Sequence, residues 1–336
     1  MELDIVYQAT NHPAWSPHYV YEQSFAMLKT KYPEVRFSHI NPEQFNGLGF
    51  PSPGAFVVIN PKNNKRIILS YLDNSRYVLL KDESVGWQPY TVQQLFCLSD
   101  IVPMKDAARQ YKIKKDETLL PYVGTNDSVA LDLDLERIIK PFNQVVFRTE
   151  YDLKISDKLY ETKLSAKDRK QSLVFRGAMH YSRPFVAEHT NHPEISFFKD
   201  HVPDYYGELA SLRCGLSLNG VAEICNRDLE LMAIGIPIIR PLFKNVQFHE
   251  PLIPNVHYIP YDYDREYYYV EATDYPYNRD YKLHSQALIE KWEEVKNNYE
   301  LLEFVGKNAR EWYLRTGKLD RQVELFVNTF DINLLT

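Results

Sequence analysis

From residue 172 onward, short apolar runs and amphipathic segments take strict turns, and this alternation restricts the fold more than any other feature. "LVFRG" (173–177), "EISFF" (194–198), "CGLSLN" (214–219), "IPIIRP" (236–241) and "VHYIPY" (256–261) are brief and apolar, as buried strands are. Between them lie helical patterns: Arg183 to about Asn191, "PDYYGELASLR" (203–213) and the segment 223–235. Strands alternating with helices of this length predict a parallel sheet with helices on both faces, a doubly wound α/β domain.

The first half starts the same way. "LDIVYQAT" (3–10) reads as a strand, "YVYEQSFAMLKTKYP" (19–33) as a helix with a proline stop, and "VRFSHINP" (35–42) as a second strand. "AFVVINPKNNKRIILSYLD" (55–73) then holds two strand-like runs around the turn-rich "PKNNK", which predicts a hairpin. "TVQQLFCLSD" (91–100) looks helical and "QVVFRTEYD" (144–152) strand-like. The lysine-rich stretch 154–172 has the composition of a linker, so the expected domains are 1–160 and 161–336. Three helical patterns, 285–298, 300–315 and 319–330, close the chain, free to pack back on the first domain. A length of 336 residues fits two domains better than one core.

Bulk properties narrow the function classes. A net charge of −6 argues against a dedicated nucleic-acid binder. Cys97, Cys214 and Cys225 are odd in number and far apart, so neither a disulfide framework nor a Cys-x-x-Cys metal site is expected. With no signal-peptide layout at the start and no apolar run long enough to span a bilayer, the expected location is the cytoplasm. Of the 25 tyrosines, many crowd into residues 261–281, a surface segment or an aromatic platform for sugar faces.

In doubly wound sheets ligands bind beyond the carboxyl ends of the strands, near helix N-termini. Two turns of the second half have suitable residues there. Arg176 and Gly177 end one strand, and Arg183 opens the next helix. Asn219 and Gly220 end another, and the following segment, "EICNRDLELMAIGIPIIR" (223–240), carries Glu223, Arg227 and Glu230 on one helical face. Leu229, Met232 and Ala233 form its apolar stripe, and Gly235 and Pro237 stop it. Two arginines converging from neighbouring turns would match the charge of a diphosphate, and Glu230 could accept hydrogen bonds from vicinal hydroxyls. An ordinary surface arginine and a dipole-matching first-turn glutamate remain the plainer readings of the same residues.

"NRDLELMAIGIPIIR" resembles the donor-site segment of nucleotide-sugar glycosyltransferases with the GT-B fold. The exostosin-like branch shares the pattern of Arg227, Glu230, Gly235 and Pro237. "VFRGAMHYSR" (174–183) is similar to the strand ending Phe-Arg-Gly in the protein O-glucosyl/O-xylosyltransferase (capsule-associated) family, and "ELLEFVGKNAREWY" (300–313) resembles the closing helices of the fold. Leu231 stands where the pattern usually has alanine, and "AMHY" replaces a serine-rich turn. The resemblance implies two Rossmann-like doubly wound domains facing a cleft. It implies transfer of a hexosyl or pentosyl group from a nucleoside diphosphate sugar, UDP favoured, to a hydroxyl of a glycan or glycosylated acceptor. Arg183 and Arg227 would hold the diphosphate and Glu230 the ribose, with no metal or other cofactor.

An inverting transfer needs a base, which in this fold comes from the first domain. His12 in "ATNHPAW" and Asp73 in "SYLDNSR" are the candidates, and a retaining enzyme would need neither. The acidic pairs Asp132/Asp134 and Asp262/Asp264 lie outside the arginine-bearing segments and suggest no metal motif, and His189 and His192 lack zinc spacing. A nucleotide-sugar epimerase or hydrolase on the same fold, or a non-catalytic glycan-binding protein, are the alternative functions.

Overall fold

In chain order the strands are β1 (Glu2–Tyr7), β2 (Arg36–Ile40), β3 (Ala55–Ile59), β4 (Arg66–Ser70), β5 (Val92–Leu98), β6 (Ile139–Phe142), β7 (Lys170–Arg176), β8 (Ile195–Phe198), β9 (Leu212–Leu216), β10 (Ile238–Pro241) and β11 (Ile259–Tyr261). The helices are α1 (Pro17–Lys31), α2 (Glu150–Thr162), α3 (Arg183–His189), α4 (Tyr205–Ser211), α5 (Asn226–Ala233), α6 (Tyr281–Val295), α7 (Tyr299–Thr316) and α8 (Leu319–Thr329). The computed structural model describes residues 1–7, 17–40, 55–63, 65–70, 92–98, 139–142, 150–179, 183–199, 202–219, 224–243, 249–262 and 281–336. Contacts divide the chain into two units, Met1–Gln144 with Asn245–His249 and Leu319–Thr336, and Val145–Lys244 with Glu250–Lys318.

The first unit holds a six-stranded sheet of order β2-β1-β3-β4-β5-β6. In β1, Leu3 and Ile5 are fully buried while Asp4 between them is half-buried, the period of a strand with one well-covered face. β1 and β2 are parallel across α1, as expected from the opening strand–helix–strand pattern. The hairpin around "PKNNK" is also present, β3 against β4, and β3 lies antiparallel to β1. The sheet is therefore mixed, which corrects the expectation of a doubly wound parallel sheet in this half; a hairpin inserted beside β1 cannot keep strand directions uniform. The segment 91–100, expected to be helical, contains β5 instead, parallel to β4 and β6. Phe25 of α1 meets Phe326 of α8 edge to face at 6.3 Å, and Lys31 Nζ donates to the Val327 carbonyl at 2.6 Å. Asn60, in the hairpin turn, donates through Nδ2 to the Leu335 carbonyl at 2.7 Å, so the C-terminus is tied to this sheet.

The second unit has a five-stranded, all-parallel sheet of order β11-β10-β9-β7-β8. β9 and β10 are buried at every residue, as strands covered on both faces must be. On one face Leu173, Phe175, Cys214, Leu216 and Ile239 pack with Val186 of α3, Trp292 of α6 and Val305 of α7. The other face receives α5: a Cβ on Gly215 would lie 2.4 Å from Leu231 Cδ1, so glycine lets that helix approach the sheet closely. The lysine-rich stretch expected to be a linker is a helix, α2, as far as Thr162. Its Ser156 is buried and its Asp157 pairs with Arg310 of α7. The "QVVFRT" part of the expected strand 144–152 lies outside the described residues, and Glu150 to Asp152 belong to α2. Most of the tyrosine-rich segment also lies outside the described residues.

Candidate functional site

In the second sheet β7 lies between β8 and β9, so the chain leaves β7 toward one neighbour and later returns on its other side. At such a reversal, beyond the carboxyl ends of the two diverging strands, here β7 and β9, doubly wound sheets hold ligands. Arg176 and Gly177 stand there after β7, and Ser217 to Asn219 after β9.

Phe175, almost fully buried, is the common neighbour of the two arginines. Its ring centroid lies 4.7 Å from the guanidinium carbon of Arg227 and 5.0 Å from that of Arg183. The side chains expected from neighbouring turns therefore do meet at one ring, yet their partners differ. Arg183 is held by the turns through all three of its nitrogens: Nε donates to the Asn219 carbonyl at 3.2 Å, Nη1 to Ala178 at 2.9 Å, and Nη2 to Leu218 at 3.0 Å. Its Nη2 also lies 3.1 Å from Cys225 Sγ. Arg227 is only 9% exposed, and its Nη2 donates to the Tyr205 hydroxyl at 3.1 Å. Its Nε and Nη1 are buried without a hydrogen-bond partner among the described residues. Each such orphaned donor costs about 1–3 kcal/mol of lost hydration, a cost that a bound acceptor would offset. Gly177, at φ +155°, passes directly beside this group, and a Cβ there would sit 2.9 Å from Arg227 Nη2.

Tyr205 in turn donates its hydroxyl proton to Glu230 Oε2 at 2.7 Å. Burial first, and then the Glu230 carboxylate, push this phenol well above its ordinary value, so it stays protonated and neutral. Arg227, Tyr205 and Glu230 thus form one chain of hydrogen bonds along the side of α5.

A buried ion pair anchors the start of α5. Asp228 Oδ2 lies 2.7 Å from Arg240 Nη1 and accepts the Cys225 N–H at 2.7 Å, half of a capping box. Arg240 Nη2 donates to Asn219 Oδ1 at 3.0 Å, and the buried Nδ2 of that amide has no partner among the described residues. Cys225 is the N-cap, so the helix starts at Asn226 and not at Glu223 as expected. Arg176 turns to α4, where Glu208 takes its Nε and, at 2.7 Å, its Nη2. Gly220, Glu223, His12 and Asp73 lie outside the described residues, as do Asp132, Asp134 and Asp264.

Sequence reasoning missed Phe175, Tyr205, Asp228 and Arg240. Asp228 and Arg240 had a readable signal, an acidic residue in a helix's first turn and a charge inside an apolar strand. Tyr205 had none. Elsewhere, His192 Nε2, Glu194 and Glu293 bring three potential metal-ligand atoms within 4.8 Å of one another. Lys296 Nζ already binds both carboxylates, at 3.2 and 2.6 Å, so the group is an ion-pair network. His189 Nδ1 lies 2.8 Å from the Phe185 carbonyl, a helix-end contact.

No family model matches the chain, and no curated protein matches it. Among solved structures it is similar to a glycosyltransferase from Rickettsia africae, at 10% identity and a TM-score of 0.41 over 97% of each chain. It is also similar to an alpha-glucosyltransferase in complex with UDP and a mismatch-containing DNA, at 8% identity and a TM-score of 0.38 over 93% of this chain and 94% of that one. An alpha-glucosyltransferase in complex with UDP-glucose and DNA containing an abasic site is similar at 8% identity and a TM-score of 0.38, over 95% of this chain and 96% of that one. At such scores the chemistry of the site rests on its own residues.

Proposed function

We propose that the chain is a glycosyltransferase that moves a hexosyl or pentosyl group from a nucleoside diphosphate sugar, UDP-linked in the first instance, to a hydroxyl of a glycan or glycosylated acceptor. The observation that carries this reading is the pair of orphaned, buried donors on Arg227 at the switch point of a parallel sheet, against a glycine turn. Arg227 receives the diphosphate, the Asn219 amide adds a donor, and Glu230 accepts the ribose hydroxyls. Arg183 acts one step back, holding the turns that shape the site. The sequence resemblance to GT-B donor segments supports the same assignment.

In the reaction the acceptor oxygen forms a bond to the anomeric carbon and the bond from that carbon to the diphosphate oxygen breaks. The leaving diphosphate keeps the electron pair, and Arg227 balances the charge that develops on it. For an inverting course the acceptor proton goes to a base, for which the sequence offers His12 and Asp73. A guanidinium in this role substitutes for a divalent ion, so transfer is expected to persist in EDTA. Arg227→Ala should weaken UDP binding at least about tenfold and abolish transfer, because hydrogen bonds from a charged donor to phosphate are among the strong ones. Thermal stabilisation by UDP, GDP, ADP and CMP, followed by donor hydrolysis and transfer assays, tests this. Unchanged nucleotide binding and turnover in Arg227→Ala would remove the assignment.

A further inference from the structure

Arg227 and Glu230 stand three residues apart on α5, a spacing at which opposite charges on a helix face each other and pair. Here they do not pair. The hydrogen-bond partner of Arg227 among the described residues is Tyr205, which reaches in from α4 and stands between the two charges, 3.1 Å from the guanidinium and 2.7 Å from the carboxylate. We propose that Tyr205 is a positioning residue that keeps the anion site open, by holding Arg227 off the carboxylate of its own helix. The inference rests on the reading that Arg227 receives a diphosphate, and it adds what keeps that arginine available.

Three features support it. The phenol is neutral and protonated, so it occupies one donor of Arg227 without cancelling its charge. It satisfies one lone pair of Glu230, which lowers that carboxylate's demand for the nearby cation. The rings of Phe175 and Tyr205, 4.7 and 5.9 Å from the guanidinium carbon, hold the group in place from its apolar sides. Without the hydroxyl between them, the three-residue spacing on α5 favours a direct Arg227–Glu230 bridge. That bridge would set a carboxylate where the diphosphate must bind, and like charge would repel the ligand.

Tyr205→Phe removes the oxygen and keeps the ring, so it isolates the effect. Calorimetry on the full chain with inorganic pyrophosphate and with UDP separates the charged half of the ligand from the whole. The expected result is that Tyr205→Phe weakens pyrophosphate binding about fivefold or more, a modest ion-pair competition. Adding Glu230→Gln to Tyr205→Phe should restore pyrophosphate affinity to within about twofold of Glu230→Gln alone, while UDP binding stays weak for want of the ribose acceptor. A purely structural tyrosine would not be rescued by removing a charge at another position. Equal pyrophosphate affinity in the wild type and Tyr205→Phe, or a double variant as weak as Tyr205→Phe, overturns the inference while leaving the diphosphate reading intact. A wild-type chain that binds neither pyrophosphate nor any nucleoside diphosphate overturns both.

Discussion

Removing one partner of the Asp228–Arg240 pair should cost far more than removing both. The two side chains are 0% and 1% exposed, and their charged atoms are 2.7 Å apart. Asp228→Leu would remove the carboxylate that lies 2.7 Å from the Arg240 guanidinium; among the described residues that group also contacts the Asn219 amide, the Pro241 carbonyl and the Phe243 ring. Arg240→Met would leave a carboxylate that keeps the Cys225 N–H. An uncompensated buried charge costs roughly 3–5 kcal/mol, whereas replacing both members of a buried pair by apolar groups is often nearly neutral. Each single variant is therefore expected to lose about 4 kcal/mol, and the double variant clearly less than either, with a coupling of at least about 3 kcal/mol. Trp292 and Trp312 are both fully buried in the same unit, so urea unfolding followed by tryptophan fluorescence reads the relevant transition. Single variants that cost under about 1 kcal/mol, or costs that simply add, would show that the pair does not anchor α5.

Gly306→Ala tests the packing of α7 on the end of α5. Alanine in a helix interior gains up to about 1 kcal/mol over glycine. The new Cβ, however, would lie 2.5 Å from the Gly235 carbonyl oxygen, a backbone atom that cannot rotate away, and such overpacking costs about 1–3 kcal/mol. A net loss of roughly 1 kcal/mol in thermal or urea unfolding is expected, and a gain would contradict the close approach. For pH dependence, His257 is the informative group. Burial holds its imidazole below the ordinary 6.5, with Glu250 opposing and Arg315 adding to the effect, and its Nδ1 accepts the Ile253 N–H at 2.9 Å. The folded state thus prefers the neutral ring, so its contribution is complete above pH 6.5 and is lost as pH falls through the unfolded value toward the lower folded one. Unfolding midpoints should drop between about pH 7 and pH 5 with a slope that His257→Gln reduces; an identical slope in the variant would exclude this histidine.

The second unit was readable because its central strands, β9 and β10, are buried on both faces, and such strands leave an unbroken apolar run in the sequence. β8 and β10 fall within runs that stand out from their neighbours, and β7 and β9 overlap such runs but start earlier, at Lys170 and at Leu212, which the sequence pattern places in the preceding helix. The misread elements depend on partners far away in the chain. "TVQQLFCLSD" has glutamines that suit a helix, and what makes it a strand is its place between β4 and β6. α2 was hidden by its lysines: Ile155 and Leu159 follow helical spacing but are only half-buried. Its firm anchor is the contact of Asp157 with Arg310, 153 residues onward.

The same limit operates at the site. Arg183 and Arg227 look alike in sequence, each on a turn that follows a strand, and neighbouring strands do bring both to Phe175. Which of them can take a ligand is decided by where their hydrogen bonds go. The acceptors of Arg183 are mostly backbone carbonyls, at residues 178, 218 and 219, and a carbonyl has no signature in the sequence because every residue carries one. Among the described residues Arg227 keeps two buried donor atoms unmatched, because the group that meets it is a tyrosine from another helix, which offers one oxygen to a side chain with five N–H bonds. The satisfied arginine costs the fold nothing further and is suited to holding a turn. The unsatisfied one carries a standing penalty of a few kcal/mol, which a bound anion would relieve, and that difference makes Arg227 the binding group and Arg183 its support.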